Sequence, residues 1–233
     1  MNATILHNKK VLITAGPTRE AIDPVRYISN HSTGKMGYAI AEQFLSQGAQ
    51  VFLVSGPVNV TLTNPNLTIV PVNSASEMYL ACCRFFEKVD IAVFAAAVAD
   101  YRPGKVAEQK IKKDDASFTI SMVKNVDIAY EFGKVKRKGQ VSVGFALETN
   151  DELAHAQGKL VKKNFDMVIL NSMNDPNATF GHDTNKITAI KRNLVPKEFS
   201  LKQKSEVAKD IVKEICSLLI TQYDHQELLK VNR

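Results

Sequence analysis

Lys9-Lys-Val-Leu-Ile-Thr-Ala-Gly16, a polar stretch ending in Asn30-His-Ser-Thr-Gly-Lys-Met-Gly37, and Gln50-Val-Phe-Leu-Val54 together decide how this chain folds. Val11–Thr14 is a short apolar run entered from two lysines, as a buried strand would be. Met36, Ile40 and Phe44 recur at i, i+4 and i+8, with Ala41 and Leu45 beside them, so one face of this segment is apolar at helical spacing. Gly48 supplies a stop, and Gln50–Val54 reads as the next strand. A strand, a helix and a second strand form the repeating unit of a parallel sheet.

The pattern continues outward. Ser74 and Glu77 make a Ser-x-x-Glu capping box that opens a helix to about Phe86. Ile91-Ala-Val-Phe-Ala95 is apolar throughout, as a strand covered on both faces must be. Val141–Phe145 and Met167–Leu170 read as further strands, separated by a helix from about Asp151 to Lys163. Asn185 to Ile190 alternates polar and apolar like an edge strand, and Val207, Ile211, Ile215 and Leu219 place a helix of about five turns near the end. Residues 101–117 lose apolar density and fill with Lys and Asp, which predicts a flexible lysine-rich arm. The expected fold is α/β: a doubly wound, mainly parallel Rossmann-like sheet in one domain over residues 1–233, with that arm projecting.

Composition removes several classes. With 45% hydrophobic and 23% charged residues the chain can build an ordinary soluble core, and the longest apolar run, Ile91 to Ala99, falls far short of the roughly 18 residues of a membrane helix. The first residues lack the apolar centre of a secretory signal, and three cysteines, two of them adjacent, make no even disulfide framework. A reduced, cytoplasmic protein is expected. The net charge of +6 favours anionic partners. No Arg-rich arm or aromatic-studded strand supports nucleic acid among them.

Ligands of open parallel sheets sit beyond the carboxyl ends of the strands. The loops after Thr14, Ala95, Phe145 and Leu170 hold most of the unusual polar sequence. The first carries Gly16, Ser32, Gly34 and Gly37 into a helix start, where free amides and the helix dipole attract anions, although turn chemistry alone would explain such glycines equally well. The second, Ala95-Ala-Ala-Val-Ala-Asp100, offers small residues and a carboxylate that could bond a ribose or help a metal, or merely cap a helix. Lys110-Ile-Lys-Lys113 and the helical pair Lys159 and Lys163 could grip phosphates or simply be solvated. Gly-x-Gly-x-x-Gly and Tyr-x-x-x-Lys are absent, and Gly34-Lys35 is followed by Met36 where a P-loop needs Ser or Thr. A nicotinamide dehydrogenase and a P-loop phosphotransferase are therefore disfavoured. No histidine or cysteine spacing fits zinc, no Gly-x-Ser-x-Gly elbow supports a hydrolase, Cys82-Cys83 reads as core, and His31 reads as structural rather than as a base.

Ile13-Thr-Ala-Gly-Pro-Thr-Arg-Glu20, Asp23-Pro-Val-Arg-Tyr-Ile-Ser-Asn-His-Ser-Thr-Gly-Lys-Met-Gly37, Ser55-Gly-Pro-Val58, Ala95-Ala-Ala-Val-Ala-Asp-Tyr-Arg-Pro103, Lys110-Ile-Lys-Lys113, Val143-Gly-Phe-Ala-Leu-Glu-Thr149 and Phe180-Gly-x-Asp-x-Asn185 follow one another in order. Together they resemble bacterial phosphopantothenoylcysteine synthetases. The resemblance implies a ligase of coenzyme A biosynthesis: the carboxylate of 4′-phosphopantothenate attacks the α-phosphorus of CTP, and the amine of L-cysteine then displaces CMP from the acyl-cytidylate. It implies Mg²⁺ held mainly by the triphosphate, a homodimer, and a flavin-dependent decarboxylase as a fused or separate partner. By matched position it implies that Asn30 polarises the acyl-cytidylate carbonyl, that Arg26 positions the acid, and that Lys110 stabilises charge as the nucleotide reacts. Asp100, Phe145, Lys159, Lys163 and the segment Val126, Asp127, Ile128, Ala129 would bind nucleotide. Ala96 and Ala97 would meet the intermediate through backbone, Gly16, Ser32, Gly34 and Gly37 would line a phosphate cradle, and Asn171 would complete the site. Two departures bear on the site. Val126 stands where such synthetases usually carry proline, which predicts a looser turn, and Leu147 replaces a usual alanine, which predicts a narrower pocket. Loss of Asn30 or Lys110 would have marked an inactive nucleotide-binding subunit; both are present.

Overall fold

A computed structural model of the chain describes residues 5–112, 118–172 and 182–231, with side chains described to residue 221. In chain order the first half comprises β1 (Lys10–Ala15), β2 (Arg19–Ala21), β3 (Tyr27–Ser29), α1 (Lys35–Ser46), β4 (Gln50–Ser55), β5 (Leu67–Pro71), α2 (Ala75–Cys83), a 3₁₀ turn (Phe86–Lys88) and β6 (Ile91–Phe94). The second half comprises β7 (Tyr101–Pro103), β8 (Met122–Lys124), α3 (Ile128–Val135), β9 (Val141–Glu148), α4 (Glu152–Lys162), β10 (Met167–Ser172), β11 (Thr184–Asn185), β12 (Thr188–Lys191), β13 (Lys197–Glu198), β14 (Lys202–Gln203) and α5 (Lys204–Val231).

The main sheet has eight strands in the order β13-β12-β10-β9-β6-β1-β4-β5. The pairs from β10 through β5 are parallel, and β12 and β13 close one edge in antiparallel fashion. The expected doubly wound α/β sheet is therefore present. Alternation along the strands explains its two cores. Val11 and Ile13 of β1 point to one face with Ile40 and Phe44 of α1 and with Val207, Ile211 and Ile215 of α5. Leu12 and Val54 point to the other, with Met78 of α2, Phe132 of α3 and Leu160 of α4. Helices thus cover both faces, as the apolar runs of β1, β6 and β10 require.

Chain order leaves β1 in opposite directions, through α1 to β4 on one side and to β6 on the other, so the loops after β1 and β6 diverge and open a crevice at the carboxyl ends.

Several elements differ from the sequence reading. The segment 185–190 is not one edge strand: β11 pairs with β14, while β12 pairs with β10 and is flanked by β13. The last helix runs for 28 residues, longer than its buried stripe implied. Ser74 caps the helix as expected, its Oγ accepting the Glu77 N–H at 3.2 Å, while Glu77 Oε2 reaches one residue further back to accept the Asn73 N–H at 2.8 Å, but α2 ends at Cys83. Cys82 is buried, and burial pushes its thiol pKa up; Cys83 is exposed, so only one of the pair is core.

The described part of the arm is not a loose loop. Tyr101–Pro103 pairs antiparallel with Met122–Lys124, and Ala107 N–H donates to the Ile22 carbonyl at 3.0 Å. Lys113 and the rest of residues 113–117 lie outside the described residues. Nor is the turn at Asn125 loosened by the missing proline. Asn125 is 7% exposed; its Nδ2 donates to the Ala99 carbonyl at 2.8 Å, its Oδ1 accepts from Arg102 at 3.0 Å, and its backbone N–H reaches Asp100 O at 2.8 Å. A buried amide with both ends satisfied fixes this turn in place of a rigid ring.

Candidate functional site

The crevice is floored by two loops stitched together. Ala96 N–H donates to Thr14 Oγ1 at 3.3 Å, Ala97 N–H to the Gly16 carbonyl at 2.9 Å, and Ala99 N–H to Thr18 Oγ1 at 3.0 Å. The N–H groups of Ala96 and Ala97 are thus spent within the protein, leaving carbonyls rather than amides for a ligand. Asn30 joins the same stitch, its Nδ2 donating to the Ala97 carbonyl at 2.9 Å. The second Nδ2 hydrogen and Oδ1 remain for other partners.

Above this floor lie two adjoining cavities. The first, of about 360 Å³, is lined by Asn30, Ser32, Gly34, Gly37, Ala96, Ala97, Asp100, Phe145, Lys159 and Asn171 among others. These are ten of the residues expected from the sequence, drawn from β9 and β10, from the segments after β1 and β6, from the start of α1 and, for Lys159, from α4. The second, of about 380 Å³, is lined by Asp100, Val126, Asp127, Ile128, Ala129, Phe145 and Lys163. Ala96, Val98, Asp100 and Phe145 line both, so the two chambers share one wall. Leu147 lines the first chamber as expected.

Three expected residues line neither chamber. Gly16 lies underneath: it takes a φ of +79°, and a Cβ on Gly34, itself at +75°, would come within 3.3 Å of Gly16 Cα. A Cβ on Gly37 would stand 2.6 Å from that of Ala15. These glycines let α1 sit directly on the end of β1, so their first use is packing, and Gly34 and Gly37 reach the cavity as a consequence. Arg26 is committed to Asp23, with Nε at 3.0 Å and Nη2 at 2.6 Å from Oδ2, and Nη2 also donates to the Ile111 carbonyl at 3.2 Å. Lys110 is exposed, one residue before this anchor.

Asp23 organises that anchor. Its carboxylate accepts from the backbone of Val25, Arg26 and Ile111 as well as from the Arg26 guanidinium. These donors, the guanidinium foremost, hold its carboxyl far below the usual carboxylate range. An unfolded chain then binds this proton more readily than the folded one, so the stability that Asp23 contributes is complete above about pH 4 and is lost as the pH falls below it. We expect Asp23→Asn to flatten the acid limb of the stability curve. Urea midpoints at pH 7, 4 and 3 check this; parallel pH profiles for the two proteins would refute it.

Lysines dominate the first chamber. Lys35, Lys159 and Lys204 line it against one carboxylate, Asp100. Each already has a partner: Lys35 meets Asp183 at 2.5 Å, Lys159 meets Glu148 at 2.6 Å, and Lys204 donates to the His182 carbonyl at 2.5 Å. Burial of its ammonium, then the charge of Lys35, pull the Lys204 pKa down, and a bound anion would offset the repulsion between the two lysines. In the second chamber Lys163 meets Asp127 at 2.9 Å, and Asp127 also caps α3 by accepting the Tyr130 N–H. Lys159 and Lys163 do share a helix face, yet they serve different chambers. Lys35, Lys204 and Asn185 were not read from sequence as site residues. Lys204 sits 33 residues past Asn171 and enters only because β11 and β14 pair beside β10.

A profile described as the DNA/pantothenate metabolism flavoprotein C-terminal domain matches residues 6–219. A cysteine/cysteine sulfinic acid decarboxylase from an unknown prokaryotic organism is 47% identical over 214 residues, covering 92% of this chain and 60% of that protein. The coenzyme A biosynthesis bifunctional protein CoaBC of Haemophilus influenzae is 48% identical over 210 residues, covering 90% of this chain and 52% of the relative. This chain therefore spans a little over half the length of these curated relatives. The crystal structure of the C-terminal domain of a coenzyme A biosynthesis bifunctional protein CoaBC superposes with a TM-score of 0.79 at 39% identity, covering 95% of this chain and 100% of that one. With most of its length matched in sequence and in fold, the chain belongs to the DNA/pantothenate metabolism flavoprotein C-terminal domain family.

Proposed function

We propose that this chain is a phosphopantothenoylcysteine synthetase that condenses 4′-phosphopantothenate with L-cysteine at the expense of CTP. The observation that carries this reading is the pair of chambers meeting at Ala96, Val98, Asp100 and Phe145, one rich in lysine and amide groups, the other lined by Val126, Asp127, Ile128 and Lys163. A ligase that activates an acid with a nucleotide needs two such compartments with the reacting atoms at their junction.

In this reading the base and ribose occupy the second chamber, with Phe145 against the base and Asp100 and Asp127 available to ribose hydroxyls. The acid lies in the first chamber beside Asn30, Ala96 and Asn171. Its carboxylate oxygen bonds to the α-phosphorus at the shared wall, and the bond from that phosphorus to pyrophosphate breaks. Lys159, and Lys110 from the arm, offset the charge that develops on the departing pyrophosphate. The neutral amine of cysteine next bonds to the acyl carbon, the bond to CMP breaks, and the amine loses a proton as the amide forms. Asn30 donates to the acyl oxygen as negative charge grows on it.

Among the described residues no three His, Cys, Asp or Glu side chains converge into a metal cage. In this reading Mg²⁺ would be carried in on triphosphate oxygens, with Asp100 the carboxylate available to it. Bound there, it would supply charge neutralisation of the phosphates. A flavin-dependent decarboxylase that consumes the product is the partner this reading expects, and a homodimer its expected state.

The test is pyrophosphate release from CTP and from ATP, each with 4′-phosphopantothenate, with and without cysteine. Release that requires the acid and prefers CTP, followed by CMP formation on adding cysteine, supports the proposal. Preference for ATP overturns the nucleotide assignment alone, and no release with either returns the chain to an inactive nucleotide-binding subunit.

A further inference from the structure

Among the described residues, two buried side-chain polar atoms have no hydrogen-bond partner, Glu148 Oε1 and Asn185 Oδ1. The first is still satisfied electrostatically, 2.6 Å from Lys159 Nζ. The second is not. Asn185 is 2% exposed and lines the first chamber, where its Nδ2 donates to Asn171 Oδ1 at 3.3 Å and lies 3.8 Å from Met36 Sδ. Its place is built rather than incidental. β11 pairs with β14, setting Asn185 opposite Lys202, and β14 leads directly into Lys204 on the same chamber wall. Asn171 itself stands in register with Leu147 of β9. Asn185 therefore ties the ends of β9 and β10 to the start of α1 while holding an acceptor without a donor. Such an acceptor costs stability unless a ligand satisfies it.

We propose that Asn185 is a specificity-determining residue of the first chamber, its Oδ1 accepting a hydrogen bond from a neutral donor of the acid substrate, a hydroxyl or amide N–H. This rests on the ligase reading above. The neighbourhood selects the kind of donor. Lys35 and Lys204 line the same chamber and would repel an ammonium, so the donor is not a cationic amine. The nucleotide compartment does not include Asn185. Between cationic Lys204 and the thioether of Met36, the acceptor suits an acid whose middle is partly apolar and carries neutral donors. The carboxylate end of 4′-phosphopantothenate reacts, its far end is a phosphate, and between them lie one secondary hydroxyl and an amide N–H.

The experiment uses three acids: 4′-phosphopantothenate, its analogue with the secondary hydroxyl replaced by hydrogen, and its analogue with the amide N–H replaced by an ester oxygen. Pyrophosphate release gives kcat and KM for each with the wild type, Asn185→Leu and Asn185→Asp. The wild type is expected to disfavour one analogue by about 10- to 100-fold in kcat/KM, mostly through KM. Asn185→Leu should bring the disfavoured analogue within about threefold of 4′-phosphopantothenate while leaving KM for CTP unchanged, and Asn185→Asp, which keeps the acceptor, should retain the discrimination. Equal kcat/KM for all three acids in the wild type overturns the inference, whether or not Asn185→Leu folds. So does unchanged discrimination in Asn185→Leu, or an effect confined to KM for cysteine. A wild type that releases no pyrophosphate with any acid overturns the ligase reading and this inference together, an outcome distinct from an active enzyme that does not discriminate.

Discussion

Asn30→Asp is expected to release pyrophosphate within a few-fold of the wild-type rate and to form amide at least about 10²-fold more slowly. The expectation follows from what the amide does in place. One Nδ2 hydrogen is given to the Ala97 carbonyl at 2.9 Å, which holds the side chain at the rim of the first chamber; the other is available to an acyl oxygen. An aspartate keeps the size and loses both donors. It also sets a negative charge against the Ala97 carbonyl and against the oxygen that becomes an anion when cysteine attacks. In the proposed reaction the acid is activated at phosphorus, a step in which this donor is given no part, so the first half-reaction should survive and the acyl-cytidylate should accumulate. Rapid quench with chromatographic detection of the intermediate, alongside mass measurement of the amide, checks the split. Normal amide yield in the variant would remove Asn30 from the chemistry, and equal loss of both steps would reassign it to binding or to folding of the rim.

The parts of this fold legible in the sequence are those whose side chains report their surroundings. β1, α1, β4, β6 and β10 each bury a full face, so their apolar spacing follows the period of the element, and their boundaries fall within a few residues of the expected ones; α5 was placed by its buried stripe but runs well past it. β5 escaped because it is an edge strand whose five residues are all half-buried or exposed. α3 escaped because it is eight residues long and its first turn, capped by Asp127, coincides with a segment read as a ligand contact. The ribbon of β7 and β8 escaped because a two-stranded pair draws its order from partners such as Tyr101 and Lys124 that are far apart in the chain, which no local pattern records.

The site divides in the same way. Residues on motif loops at strand ends, Asn30, Ala96, Ala97, Asp100, Phe145 and Asn171, fall together because strand polarity alone places them. Asn185 and Lys204 converge on them through a pairing of two-residue strands, and Lys35 was hidden in plain view inside the motif that named its neighbours. Arg26 lies apart from these residues. A motif arginine invites a ligand role, and here Nε and Nη2 are bound to Asp23 and the Ile111 carbonyl, which ties the guanidinium to the arm.

That anchoring gives the second large prediction. Lys110→Gln is expected to slow pyrophosphate release by about 10²- to 10³-fold while leaving the melting temperature within about 1 °C of the wild type. Lys110 is exposed, so its removal leaves no buried group unpaired and should cost the fold almost nothing. Its neighbour Ile111, by contrast, is held at both backbone atoms, the N–H by Asp23 at 3.1 Å and the carbonyl by Arg26 at 3.2 Å. A lysine on a fixed pivot can be delivered repeatedly to the same place, which suits a specific charge on departing pyrophosphate better than a diffuse solubilising role. Gln keeps the length and hydrogen bonding but not the charge, so the loss should appear in kcat for the first half-reaction and not in the attack of cysteine on preformed intermediate. Single-turnover measurements of the two steps, with calorimetric melting of the same preparations, separate the cases. A variant with wild-type release would assign the lysine to the solvated surface, and one that melts early with unchanged activity per folded molecule would assign it to the arm's stability instead.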